Sequence, residues 1–179
     1  LIAGASEGAG LGIRFLKHLT RNRILLHLVD MAPLDESDPA AAAVEIIQEL
    51  ERFSPTLAAR PRWLVLNKSD LVEPETFAAR RQQVLAALNW QGPVYEVAAI
   101  NGTGTKTLCG DLMRCIEELS AAEAADETIL QAEYEAQARM QQEARNRIEA
   151  LRAARAAARQ SAREDNIDDD DDVVVEYRR

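Results

Sequence analysis

Four consecutive residues, Asn67-Lys68-Ser69-Asp70, place an amide, a cation, a hydroxyl and a carboxylate directly after an apolar run. A carboxylate accepts hydrogen bonds through two oxygens and donates none. Guanine presents two parallel donors, its ring N1–H and its exocyclic amine, at a matching separation, whereas adenine has no such pair. A mismatch that leaves a polar group without partners discriminates between ligands by about 10⁴-fold or more. The tetrapeptide therefore indicates recognition of a guanine base.

The neighbours of Asp70 suit the same ligand. Asn67 can tie adjacent loops together and reach the base edge, and the methylene stem of Lys68 can lie over the purine face. The alternative is a polar loop that caps the helix beginning at Glu75. The position of the loop, at the carboxyl end of the middle of three expected parallel strands, favours ligand binding.

Strand-like and helix-like patterns alternate along the first 120 residues. The runs Ile24–Val29 and Trp63–Leu66 are apolar without alternation, which predicts strands buried on both faces. Such alternation predicts an α/β fold with a parallel sheet, whose ligand edge would hold Asp30, Asn67–Asp70 and Ala98–Gly104. The expected strands are Ile24–Val29, Trp63–Leu66 and Val94–Val97, and the expected helices are Ile13–Leu19, Ala40–Phe53, Glu75–Leu88 and Lys106–Leu119.

The composition changes after residue 120. Ala121–Arg163 is rich in strong helix formers with few apolar positions, which predicts a long and largely solvated helix. Arg139–Arg163 holds seven arginines against Glu143 and Glu149, a local charge of +5, whereas residues 165–179 carry −5 and are expected to be disordered. The chain thus divides into 1–120, 121–164 and 165–179. The arginines could contact RNA phosphates, pair with the following Asp run, or be simply solvated.

Overall composition narrows the classes of protein. Lys+Arg 21 against Asp+Glu 30 gives a net charge of −9, which argues against a uniformly basic nucleic-acid binder. Two cysteines cannot form a disulfide framework or a four-cysteine zinc site. No apolar run approaches the ~18 residues of a membrane span. We expect a monomeric cytoplasmic protein with no membrane span and no DNA partner.

One family carries these features together. The glycine-rich opening Leu1–His18, which ends in Phe15-Leu16-Lys17-His18, resembles the second switch of the Obg (CgtA) GTPases, where an Asp-x-Pro-Gly immediately precedes it. Leu25–Asp30 and Asn67–Asp70 fit the same family, and the resemblance covers roughly residues 1–120. It implies the C-terminal half of a P-loop GTPase domain. It also implies binding and hydrolysis of GTP with Mg²⁺ and a role in assembly of the large ribosomal subunit, with ribosomal RNA as a partner.

The family's base-binding residues transfer onto two segments of this chain. Asn67, Lys68 and Asp70, with Ser69 between them, would hold the base of GTP or GDP. Val97–Ile100 falls where the family has a Ser-Ala turn whose backbone N–H meets the guanine O6, so Ala98, Ala99 and Ile100 join the expected site. Ala98 stands where the family has Ser, and the lost hydroxyl, which could brace Asp70, lowers the expected affinity.

The family's phosphate-binding parts are absent from this sequence. No G-x-x-x-x-G-K-[ST] occurs, and Gly102–Thr107 imitates only its ending. The resemblance therefore implies a C-terminal fragment, inactive alone, that contains no catalytic residue and no Mg²⁺ ligand. It also implies a lost strand beside Ile24–Val29, which leaves an apolar edge and a poorly stable chain. The alternative is a non-catalytic module that binds RNA or the ribosome, or regulates, through its arginine-rich helix and acidic tail.

Overall fold

A computed structural model describes residues 11–168 of the 179-residue chain. The glycine-rich start of the switch-like opening, residues 1–10, and residues 169–179 of the acidic tail lie outside the described residues. The elements follow in the order α1 Leu11–Leu19, β1 Leu25–Asp30, α2 Pro39–Phe53, α3 Pro55–Ala58, β2 Arg62–Asn67, α4 Pro74–Ala87, β3 Val94–Glu96, α5 Thr105–Ala125 and α6 Glu127–Asp168.

The sheet has three parallel strands in the order β1-β2-β3. Leu28 pairs with Val65, and Val65 pairs in turn with Tyr95, so β2 lies in the middle. The four central residues of β2 are all buried, as an unbroken apolar run predicts. The prediction of an α/β fold with three parallel strands and flanking helices is confirmed.

Side chains on the two faces of the sheet enter different clusters. Leu64 and Leu66 point to one face and pack with Phe77 and Val84 of α4 and with small residues of α2. Trp63 and Val65 point to the other face and pack with Leu108 of α5. The helices therefore cover the middle strand on both sides, which is why its apolar side chains do not alternate with polar ones.

The prediction that β1 is buried on both faces is wrong. Its residues alternate between buried and exposed, and Leu26 and Leu28 are 38% and 58% exposed. They share a face with Trp63 and Val65, their register partners, but α5 covers β2 rather than β1. Ile116 of α5 is 42% exposed for the same reason. Within residues 11–168 β1 is an edge strand, paired only with β2.

The prediction of a long, largely solvated C-terminal helix agrees with the exposure of most residues of α6, but the first half of this helix also docks against the domain. Met140 and Ala144 are 0% and 3% exposed and belong to the same cluster as Leu16, Phe53 and Leu57. Two further apolar residues of α6, Ile148 and Leu151, pack partly against this cluster. A few well-spaced apolar residues are therefore enough to dock α6 when polar contacts help.

Two polar contacts fix α6 beside α3, a four-residue helix absent from the sequence prediction because it is too short to show periodicity. The Glu143 carboxylate accepts hydrogen bonds from Ser54 Oγ at 2.5 Å and from Thr56 Oγ1 at 2.7 Å. Burial raises the pKa of Glu143, but these hydrogen bonds outweigh that effect and hold the pKa below its ordinary value. Arg60 donates two hydrogen bonds of 2.5 Å to Glu133.

The helical region after β3 also differs from the prediction in its boundaries. The fourth predicted helix, Lys106–Leu119, continues as α5 to Ala125, and Asp126 then separates it from α6. The Asp126 carboxylate accepts hydrogen bonds from the backbone N–H and the hydroxyl of Thr128 in the first turn of α6. Such a contact is typical of a residue that caps the N-terminus of a helix. Across residues 11–168, every helix falls short of the combined length and hydropathy that crossing a lipid bilayer requires.

Candidate functional site

The carboxyl ends of the three strands meet at one edge of the sheet. Asp30 and Asn67 are register partners there, and the backbone N–H of Ser69 donates to the carbonyl of Val97 at 3.1 Å. Ser69 is half-buried in this contact. The polar loop after β2 therefore lies between the end of β1 and the turn after β3, at the edge where open α/β sheets bind ligands.

Asn67 joins the end of β2 to the loops that follow β1 and β3. Its Oδ1 accepts a hydrogen bond from the backbone N–H of Ala99 at 3.1 Å, and its backbone carbonyl accepts from Met31 N–H at 3.1 Å. Its side-chain amino group makes no hydrogen bond within residues 11–168. Asn67 thus ties neighbouring loops together and keeps one donor for a ligand.

Lys68 reaches across the sheet edge towards β1. Its Nζ lies 2.6 Å from Oδ2 of Asp30 and donates to the carbonyl of Ala32 at 3.3 Å. The backbone of Lys68 has a φ of +67°, a left-handed conformation that residues other than glycine seldom adopt. The ion pair with Asp30 was missed from sequence, although Asp30 ends an adjacent strand and so was placed near Lys68.

Asp70 is exposed at the tip of the loop, and its carboxylate has no hydrogen bond or ion pair within the described part of the chain. It does not cap the following helix. The N-terminal capping position of α4 is Glu73, which makes no side-chain capping hydrogen bond. The described geometry therefore does not match the alternative in which this loop caps α4, and it leaves both oxygens of Asp70 available.

The turn after β3 presents its three predicted site residues differently. Ala98 is buried, and its N–H donates to the carbonyl of Thr103 at 3.0 Å. The Ala99 N–H is held by Asn67. Ile100 is 90% exposed, and its N–H has no partner among residues 11–168. A ligand at this edge would therefore find a free donor at Ile100 and a shared one at Ala99.

Gly104 closes this turn and begins α5. It has a φ of +73°, and a Cβ added there would lie 2.2 Å from the carbonyl oxygen of Glu96. Only glycine allows both the left-handed backbone and this close approach. Gly104 therefore fixes the distance between β3 and the turn that carries Ala99 and Ile100.

The candidate site is an open edge rather than a closed cavity. A groove of about 1670 Å³ runs along β1 and is lined by Leu26, Leu28 and residues of α2, but it does not include Asp70. A smaller recess of about 290 Å³ lies behind Ser69, against Phe77 and Glu96. A base held by Asp70 would therefore lie on the surface, with one face open to solvent.

The described residues do not suit a metal ion. Within residues 11–168, no group of three or more His, Cys, Asp or Glu side chains is arranged to hold one. No protein-family model matches the chain.

Proposed function

We propose that the Asn67–Asp70 loop binds the guanine base of GDP or GTP and that the chain is the base-recognising part of an Obg-type GTPase. The observation that carries the proposal is the exposed carboxylate of Asp70, which has no partner among residues 11–168 and lies at the sheet edge where three loops meet. The paired N1–H and amine of guanine supply the two donors that this carboxylate lacks.

The groups around Asp70 support a purine. The N–H of Ile100 and the amino group of Asn67 are donors with no partner in the described part of the chain, and the O6 and N7 atoms of guanine are acceptors. Lys68 is held by Asp30, so its methylene stem offers a fixed apolar surface to the ring. The edge therefore provides both acceptors and donors, which are complementary in kind to the donors and acceptors of guanine.

The wider activity rests on the resemblance. It includes hydrolysis of GTP with Mg²⁺ by the complete protein in the cytoplasm, and a role in assembly of the large ribosomal subunit beside its RNA. Phosphoryl transfer depends on groups around the β- and γ-phosphates, and this sequence has no phosphate-binding loop. For this chain alone, the proposal is base recognition without hydrolysis.

Base recognition is tested by titrating the ¹⁵N-labelled chain with GDP, ADP and xanthosine diphosphate and following the amide signals of Ala99 and Ile100. GDP should bind at least about tenfold more tightly than ADP, since hydrogen bonds to a charged group contribute about 1.5–3 kcal/mol. Asp70→Asn should weaken GDP and favour the xanthosine nucleotide, whose carbonyl replaces the guanine amine and accepts from asparagine.

Glu73→Gln is the matched control, because Glu73 is an exposed carboxylate three residues away that makes no capping hydrogen bond. This variant should keep the preference for GDP. Equal binding of ADP and GDP, or an unchanged preference in Asp70→Asn, contradicts the proposal.

A further inference from the structure

The exposed part of α6 carries a line of arginines that the base site does not use. Arg145, Arg152, Arg155 and Arg159 are all exposed. With 3.6 residues per turn they fall within an arc of about 80° and extend over about 21 Å along the helix axis. We call these four residues the arginine stripe.

The stripe begins beside the docked residues of α6 and continues beyond them. Met140 and Ala144 are buried against the domain, whereas every residue from Arg152 to Ser161 is exposed. The contacts of Glu143 and Glu133 with Ser54, Thr56 and Arg60 hold the first half in place. The arginines therefore project from a fixed support, which is an arrangement for meeting a partner rather than for packing.

The residues around the stripe define the chemistry of that partner. Glu149 is the only acidic residue between Ala144 and Ser161, so the surface stays strongly positive. The positions between the arginines are mostly alanine, which cannot read base edges or stack on bases. The ligand should be a row of negative charges recognised without regard to sequence.

The straightness of the stripe favours a single strand. The phosphates of a duplex follow two rails that curve around its axis and diverge from a straight helix after a few contacts. A flexible single strand can extend along the whole stripe and place one phosphate near each guanidinium. Single-stranded nucleic acid in a cell is chiefly RNA.

We propose that the arginine stripe of α6 binds single-stranded RNA through its phosphates, independently of the guanine site. Glu143, two residues before the start of the stripe, contacts Ser54 and Thr56 at α3, which precedes the start of β2. Asp70 lies beyond the other end of that strand. Binding at one place therefore need not occupy the other.

The test is fluorescence anisotropy of the full chain with a labelled 12-nucleotide RNA over a salt series. Each phosphate contact to a single strand contributes about −0.7 to the slope of log K against log salt, so four arginines predict a slope near −3. Arg152→Gln with Arg159→Gln should reduce the slope by about 1.4 and the affinity roughly tenfold or more at about 0.1 M salt.

The matched control replaces two exposed arginines elsewhere, Arg21→Gln with Arg114→Gln, which makes the same change in net charge. This control should bind RNA almost as the parent does. A DNA strand of the same sequence should bind comparably, because the contacts reach phosphates only. The proposal fails if both double variants weaken binding equally, if neither does, or if a duplex binds more tightly than the single strand.

Failure of the guanine proposal would be seen separately. The stripe variants should leave the response of Ala99 and Ile100 to GDP unchanged, and Asp70→Asn should leave RNA binding unchanged. An RNA affinity that depends on Asp70 would overturn the independence of the two surfaces.

Discussion

The ammonium of Lys68 lies 2.6 Å from the carboxylate of Asp30, so the ends of β1 and β2 are joined by an ion pair at the proposed base site. Both side chains are partly exposed, at 32% and 44%, and the pair contributes little to stability. The ion pair instead orients the stem of Lys68, which it holds in one direction across the loop.

Replacing Asp30 by Asn should therefore weaken GDP binding without unfolding the chain. The lysine stem would lose its fixed position, and ordering it on binding costs roughly 1 kcal/mol, or about fivefold in affinity. Calorimetric titration with GDP measures this, beside urea unfolding. Glu36→Gln, an exposed change in the same β1–α2 loop, is the control and should match the parent in both. If Asp30→Asn lowers the free energy of unfolding by as much as it lowers the free energy of GDP binding, the role of Asp30 is structural instead.

Alanine at Gly104 should disrupt the turn that presents Ala99 and Ile100. The new Cβ would meet the Glu96 carbonyl at 2.2 Å in a left-handed backbone, and such strain costs about 1–3 kcal/mol. Urea unfolding measures the loss. Gly110→Ala is the control: a Cβ there meets nothing within 4 Å inside α5, so the variant should be stabilised by up to about 1 kcal/mol. If Gly104→Ala and Gly110→Ala change the free energy of unfolding equally, the role given to Gly104 in this turn is wrong.

The buried side chain of His27 should make stability depend on pH. Desolvation, with help from Arg62, lowers its pKa from 6.5 to about 4. Between these values the unfolded chain binds a proton that the folded chain does not, so the free energy of unfolding falls as the pH falls. The loss approaches about 3 kcal/mol at pH 4, since each unit of pKa shift corresponds to about 1.4 kcal/mol.

Urea unfolding at pH 7 and pH 4.5 tests this for the parent, His27→Leu and the exposed control His18→Gln. The parent and His18→Gln should both have a lower free energy of unfolding at pH 4.5 than at pH 7. His27→Leu should lack most of this pH dependence. Both ring nitrogens of His27 lack a hydrogen-bond partner within the described range, so no polar contact is removed by leucine. A pH dependence that is the same in all three chains contradicts the prediction.

Deleting residues 167–179 should strengthen RNA binding. This segment contains Asp168–Asp172 and carries most of the acidic charge that follows the arginine stripe. Removing like charge near the phosphates raises their attraction to the arginines. Anisotropy at low and high salt measures the change, which should shrink as salt screens it. A chain in which all five aspartates are asparagine should behave like the deletion; if only the deletion has an effect, charge is not its cause.

The alternation of apolar runs with helical patterns was enough to predict the sheet, its parallel strands and the edge where Asn67 and Asp70 lie. It was not enough to predict which strands the helices cover on both faces. Leu26 and Leu28 look like core residues in the sequence, but whether a helix lies over them depends on the position of α5, which no local pattern contains. Met140 is the converse: it stands in a polar segment yet is fully buried, and Glu143, one helical turn further on, is held by Ser54 and Thr56.

At the candidate site, too, one part of the structure could be predicted from the sequence and another part could not. The type of chemistry at Asp70 follows from residue identity and strand order. The ion pair of Lys68 with Asp30 and the hydrogen bond of Asn67 to Ala99 depend on distances across the sheet, which only the folded chain fixes.

The burial of Met140 and Ala144 beside Leu16 and Phe53 also bears on how the protein is made. Translation proceeds from the N-terminus, and α6 is the last described element to be synthesised. The cluster formed by α1, α2 and α3 must therefore wait, with its apolar side chains open to water, until the ribosome has delivered the residue that closes it. Until then, a nascent chain that already holds every described strand of the sheet exposes this apolar cluster, which favours association with neighbouring chains.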